Sequence, residues 1–158
     1  MPGTQLPGTE LRGPSAHARV GTQRGRLRNA AIVFEQISAD VGAKPATWIA
    51  AVGVALNSLA DAWDEHVAFT EGPDGLFEEL LDESVEVAPE IDRLRRDHEV
   101  LRTHVTRVRQ LLAMPGAGPD DTRILLALTG ISKLVDHHRR RGADLLYRVY
   151  SVDLSAGD

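Results

Sequence analysis

The chain has 158 residues, 42% of them apolar, with 18 basic against 23 acidic residues, six histidines and no cysteine. That length suits one domain with a real hydrophobic core, and the lack of cysteine excludes disulfides, thiol nucleophiles, iron–sulfur clusters and cysteine-ligated zinc. A net charge of −5 and an aromatic share of 4% argue against nucleic acid as a partner, because such binders carry a basic balance and stacking platforms.

The first 25 residues hold five of the 14 glycines and three of the eight prolines. They show neither the apolar run of a secretory signal nor a helical period, so residues 1–25 are expected to form a flexible tail. Four segments then carry apolar residues at alternating spacings of three and four, the period of one helix face. The first is Leu27, Ala31, Phe34, Ile37 and Val41. The second, Ile49, Val52, Leu56, Leu59 and Trp63, follows Pro45 and a candidate N-cap, Thr47. Glu71-Gly72-Pro73-Asp74-Gly75 breaks this helix, and residues 76–83 read as a short extra one. The third stripe is Ile91, Leu94, His98, Leu101, Val105, Val108 and Leu112, begun through Pro89. The fourth is Ile124, Leu128, Ile131 and Val135, with Asp120 and Asp121 as N-cap candidates.

Residues 147–158 alternate only weakly and predict an irregular C-terminal tail, with 151–158 outside the domain. No segment sustains a period of two. Short connections make consecutive helices antiparallel, so the fold class is all-α: an up-down-up-down four-helix bundle over residues 26–150. The longest apolar stretch, residues 48–60, is too short to span a bilayer. The expectation is a soluble, cytoplasmic protein with no membrane partner.

Extended by one step, the stripes take in three histidines. His66 continues the second stripe, His98 lies within the third and His138 continues the fourth. One buried histidine is most often a hydrogen-bonded core residue, so the informative point is whether all three share a level. With a rise of about 1.5 Å per residue, His66 and His138 lie roughly 28 and 26 Å from their helix starts, and His98 roughly 24 Å from its helix end. Those three termini share one end of the bundle, so the imidazoles should converge near the other. His137 falls on the flank of the fourth helix, His104 lies about 240° around from His98, and His17 would need a helix running back through Gly21 and Gly25.

Glu71 and Asp74 follow His66, and Asp144 follows His138. Inward imidazoles with nearby carboxylates in a helical bundle suit non-haem iron, manganese or zinc. Residues 61–92 hold twelve acidic residues and no basic one, so nearby carboxylates also arise simply as a solvated face. The run Arg139-Arg140-Arg141 reads as an exposed turn.

Asp64-Glu65-His66 with the acidic segment and Leu76-Phe77, Arg95-Arg96-Asp97-His98-Glu99-Val100-Leu101, and Asp136-His137-His138 leading to Leu145-Leu146-Tyr147 resemble a hemerythrin-like (HHE-type) domain over roughly residues 26–150. The resemblance implies a four-helix bundle with a non-haem di-iron centre that binds oxygen or related small molecules. The chain departs from that pattern in two ways. No histidine occurs between Arg26 and Val41. Thr70 and Gly142 stand four positions after His66 and His138, where an acidic residue is usual. Only Glu71, Asp74 and Asp144 are left to stand in. The resemblance therefore implies a remodelled site holding one metal, an incomplete pair, or none.

The candidate ligands are His66, Glu71, His98, His138 and Asp144, with non-haem iron as the cofactor and a small diatomic molecule or peroxide as the partner. The ligands alone do not imply catalysis. The alternative is a metal-free bundle acting as an interaction or regulatory module, with a homodimer among its assemblies.

Overall fold

The computed structural model describes residues 16–155, with side chains for residues 18–151. Five α-helices follow one another: α1 (Ala16–Ala39), α2 (Pro45–Glu71), α3 (Leu76–Glu83), α4 (Ala88–Leu112) and α5 (Thr122–Ser155), with a 3-10 turn at Val85–Val87. There is no strand among the described residues. α1, α2, α4 and α5 form the four-helix bundle. α1 packs chiefly on α2 and α4 on α5, with α2 beside α4 and α1 beside α5 closing the ring.

Local chemistry explains most of the boundaries. α2 begins at Pro45, whose fixed φ suits the first helical position and whose missing N–H is not needed there. Lys44 occupies the N-cap without a side-chain bond, so Thr47, expected as the cap, instead lies in the first turn. At the start of α5 the Asp121 carboxylate accepts the backbone N–H of Arg123 at 3.0 Å, as a cap should. After α2 the chain turns sharply: the N–H of Gly75 donates to the carbonyl of Gly72 at 2.8 Å. A Cβ on Gly75 would stand 2.6 Å from that oxygen and 2.7 Å from the carbonyl of Thr70, so only glycine fits. Asp74 takes the left-handed conformation at φ 55°.

Two apolar clusters fill the interior. The larger joins all four long helices through residues such as Phe34, Trp48, Leu59, Leu101, Ile124 and Ile131. The smaller is built on α3, with Leu76, Phe77 and Leu80 against Ile91, Leu94 and Leu145. Along α4 the stripe passes from Leu94 to Leu101 across His98, and along α5 from Val135 to Leu145 across His138. The histidines thus form a polar layer between two apolar ones.

The second cluster accounts for two differences from the sequence reading. α1 starts at Ala16 rather than after residue 25, and α5 runs on to Ser155 rather than ending before an irregular tail. Val20, at one extension, and Val149, at the other, pack against the α3 cluster. Burial there repays the roughly 1 kcal/mol cost of each helical glycine, Gly21 and Gly25. The arginine run at residues 139–141 lies within α5, not on a turn. Residues 1–15 of the expected N-terminal tail, and 156–158 of the C-terminal one, lie outside the described residues. So does the side chain of His17.

The acidic stretch meets bases from several helices: Arg26 pairs with Glu65 at 2.8 Å, Arg102 with Asp64 at 3.5 Å and Arg148 with Glu90 at 3.4 Å. These pairs are exposed, apart from the half-buried Glu90, and contribute little to stability. No described helix is long and apolar enough to cross a membrane.

Candidate metal centre

His66, His98 and His138 converge. Their ring centroids are 4.8 to 5.4 Å apart, and one ring nitrogen from each lies within 4.8 Å of the other two. His98 and His138 are buried and His66 nearly so. The three come from α2, α4 and α5, so the bundle itself sets their spacing. Trp63, one turn before His66 on α2, stands against all three rings at 4.7 to 5.7 Å. Its indole N–H donates to the His98 carbonyl at 3.4 Å, and Phe77 of α3 stacks on the His98 ring. The aromatic walls hold the imidazoles in place and keep bulk water out.

The outer nitrogens explain which inner ones are available. His98 Nδ1 is hydrogen-bonded to the Glu71 carboxylate, and His138 Nδ1 meets Asp97 Oδ2 at 3.4 Å. The same oxygen accepts from Arg141 at 3.0 Å, and Arg141 also bonds His137 Nε2 at 2.6 Å. A carboxylate on Nδ1 fixes the proton there and leaves Nε2 as a bare lone pair, the tautomer that a metal requires. His66 Nε2 and His138 Nε2 are 3.0 Å apart. His98 Nε2 and His66 Nδ1 are buried without a partner, and such orphans cost stability unless a ligand satisfies them.

Burial keeps the rings neutral. His66 is lowered from 6.5 to about 4, by desolvation first and then by repulsion from His98 and Arg24. His138 is lowered by desolvation and then by the other two histidines. His98 is also lowered by desolvation, against the opposing pull of Glu71. Neutral imidazoles with free lone pairs suit a divalent ion of borderline softness.

The carboxylates fall elsewhere than expected. Glu71, at the end of α2, lies on His98 Nδ1, outside the three-histidine group. Asp144 is exposed and takes no part. Because α5 continues as regular helix through Gly142, a residue six positions on from His138 is rotated by about 240° from it. Asp74 sits in the exposed turn. Thr70 is buried and donates its hydroxyl to the carbonyls of His66, at 2.9 Å, and Val67, so it offers the cluster no further hydrogen. Asp97 and Arg141 are part of the site although the sequence shows them only as a neighbour of His98 and as the end of an arginine run. Asp97 lies next to the third stripe's histidine, one step off the apolar face, and that adjacency was the available signal.

A cavity of about 50 Å³ adjoins the cluster, walled by His66 and His138, by Thr70 and Gly142, and otherwise mostly by apolar side chains of α1, α3 and α5. It is large enough for a few water-sized atoms. Fold and site together define a four-helix bundle with a buried three-histidine cluster that could hold a metal ion. Comparison of the chain with family models, with curated proteins and with solved structures finds no match.

Proposed function

We propose that this is a metal-binding protein of hemerythrin-like type, holding non-haem iron through His66, His98 and His138 and binding or sensing a small diatomic molecule or peroxide. The observation that carries the reading is the convergence of three imidazoles from three helices, two of them with Nδ1 held by a carboxylate. The donor set fits the group: His98 Nε2 is a buried nitrogen lacking a partner, as a ligand lacking its ion would be. A bound ion would supply Lewis acidity and an open coordination position. The residues around it do the rest. Glu71 and Asp97 orient the rings, Trp63 and Phe77 exclude water, and the adjoining cavity offers room for a small ligand. Three histidines and no carboxylate in the group favour one ion over a bridged pair.

The second reading, a metal-free bundle acting as an interaction or regulatory module, is favoured by one observation. His66 Nε2 and His138 Nε2 are close enough to share a hydrogen directly. Elemental analysis of protein purified without a histidine tag and reconstituted with Fe(II), Mn(II) or Zn(II) separates the two. The metal reading expects about one ion per chain, abolished by His98→Ala. Less than a few tenths of an ion after reconstitution supports the metal-free reading instead.

A further inference from the structure

The cavity beside the histidines has walls that the metal reading does not use. Val20 and Leu27 of α1, Leu80 of α3 and Leu145 of α5 make them largely apolar. Three polar groups stand out among them. Arg24 is an exposed residue of α1, Arg139 is half-buried on α5, and Gln23 of α1 has its amide oxygen buried without a partner. Among the described residues neither Arg24 nor Arg139 has a carboxylate within ion-pair distance. Nearby arginines such as Arg19, Arg26, Arg141 and Arg148 all do. Two guanidiniums outside any ion pair, from the neighbouring helices α1 and α5 and both lining one largely apolar cavity, are complementary to an anion with a short hydrocarbon part.

We propose that this cavity is a binding site for a free short-chain carboxylate, with its head group at Arg24 and Arg139 and its alkyl chain among the apolar walls. Guanidinium is the side chain best shaped to hold a carboxylate, through paired parallel hydrogen bonds. The Gln23 amide, turned end for end, offers its NH2 to the same head group and relieves the buried oxygen of its unpaired state. A volume of about 50 Å³ accepts roughly three to five heavy atoms, which sets the chain at about the length of butyrate. The proposal goes beyond the metal reading and does not depend on it, since none of the three head-group residues belongs to the histidine cluster.

Titration calorimetry of the metal-free full-length chain tests this, with butyrate, acetate and 1-butanol as probes. Saturable one-to-one binding of butyrate is expected, weaker binding of acetate, and none of butanol. Arg24→Gln and Arg139→Gln should each weaken butyrate by about tenfold. A Cβ at Gly142 meets nothing within 4 Å, so Gly142→Leu fills the cavity without breaking the helix and should abolish binding. That variant keeps the test decisive if an arginine variant folds poorly. Equal binding of butyrate and butanol, or butyrate binding unchanged in Gly142→Leu, overturns the proposal, as does the absence of butyrate binding to the wild-type chain.

Discussion

His66 Nε2 and His138 Nε2 face each other at 3.0 Å between α2 and α5. Asp97 draws the one proton of neutral His138 to Nδ1, so any hydrogen between the two rings must come from His66. Glu71 does the same for His98, and His98 Nε2 then has no proton donor at all. One cation would satisfy all three lone pairs where one hydrogen satisfies only one. The geometry is thus biased toward an ion by residues outside the cluster.

That bias gives a first prediction. Because the unfolded chain cannot assemble three ligands from three helices, a bound ion stabilises only the folded state. At a free-ion concentration about a hundred times Kd, the gain is about 2.7 kcal/mol. Thermal melting with and without chelator should show a higher Tm for the loaded wild type and no difference for His98→Ala.

Acid should weaken the metal-free fold. The folded-state pKa of His66 is depressed to about 4 from 6.5, so between these values the unfolded chain binds a proton that the folded chain does not. Stability is therefore full above about pH 6.5 and is lost as pH falls toward about 4, at up to about 1.4 kcal/mol per pH unit for each such histidine. Urea denaturation at a series of pH values checks the sign, and His66→Leu should flatten the slope.

Glu71 and Asp97 act on the site through the rings they hold. Glu71→Gln and Asp97→Asn keep the shape of each side chain but remove the charge that fixes the ring proton. Each should lower metal affinity by about 10- to 100-fold while leaving the helical circular dichroism unchanged. Rescue of affinity by Asp97→Glu would mark the effect as charge rather than packing.

The glycines divide by what a methyl group would meet. At Gly25 and Gly130 a Cβ touches nothing within 4 Å, so alanine should stabilise each helix by up to about 1 kcal/mol. Gly75→Ala should destabilise by roughly 1–3 kcal/mol, since the new carbon collides with two backbone carbonyls. Midpoints of chemical denaturation would show the opposite signs.

Much of this was legible in the sequence because helix faces repeat. The stripes through Leu56, Leu101 and Ile131 located the bundle, and extending them by one step located His66 and His138 beside His98. Distance along a helix is set by a constant rise, which is why the common level of the three histidines could be read without coordinates. Side-chain partners across helices obey no such period. Asp97 reaches His138 from α4, and Glu71 reaches His98 from the end of α2, so both act in trans, whereas the sequence suggested carboxylates in cis, after each histidine. The extra turns of α1 and α5 were hidden for a related reason. They are stabilised by the α3 cluster, a tertiary contact that overrides the glycines at positions 21 and 25.

In the proposed site the three imidazoles bind one ion between them. The most direct measurement is a crystal structure of the Fe(II)- or Zn(II)-soaked protein with data collected at the metal's absorption edge. A single anomalous peak about 2.0–2.2 Å from one nitrogen each of His66, His98 and His138 is the predicted result. Histidine rings in direct hydrogen-bond contact with no anomalous density between them, in protein soaked to saturation, would contradict it.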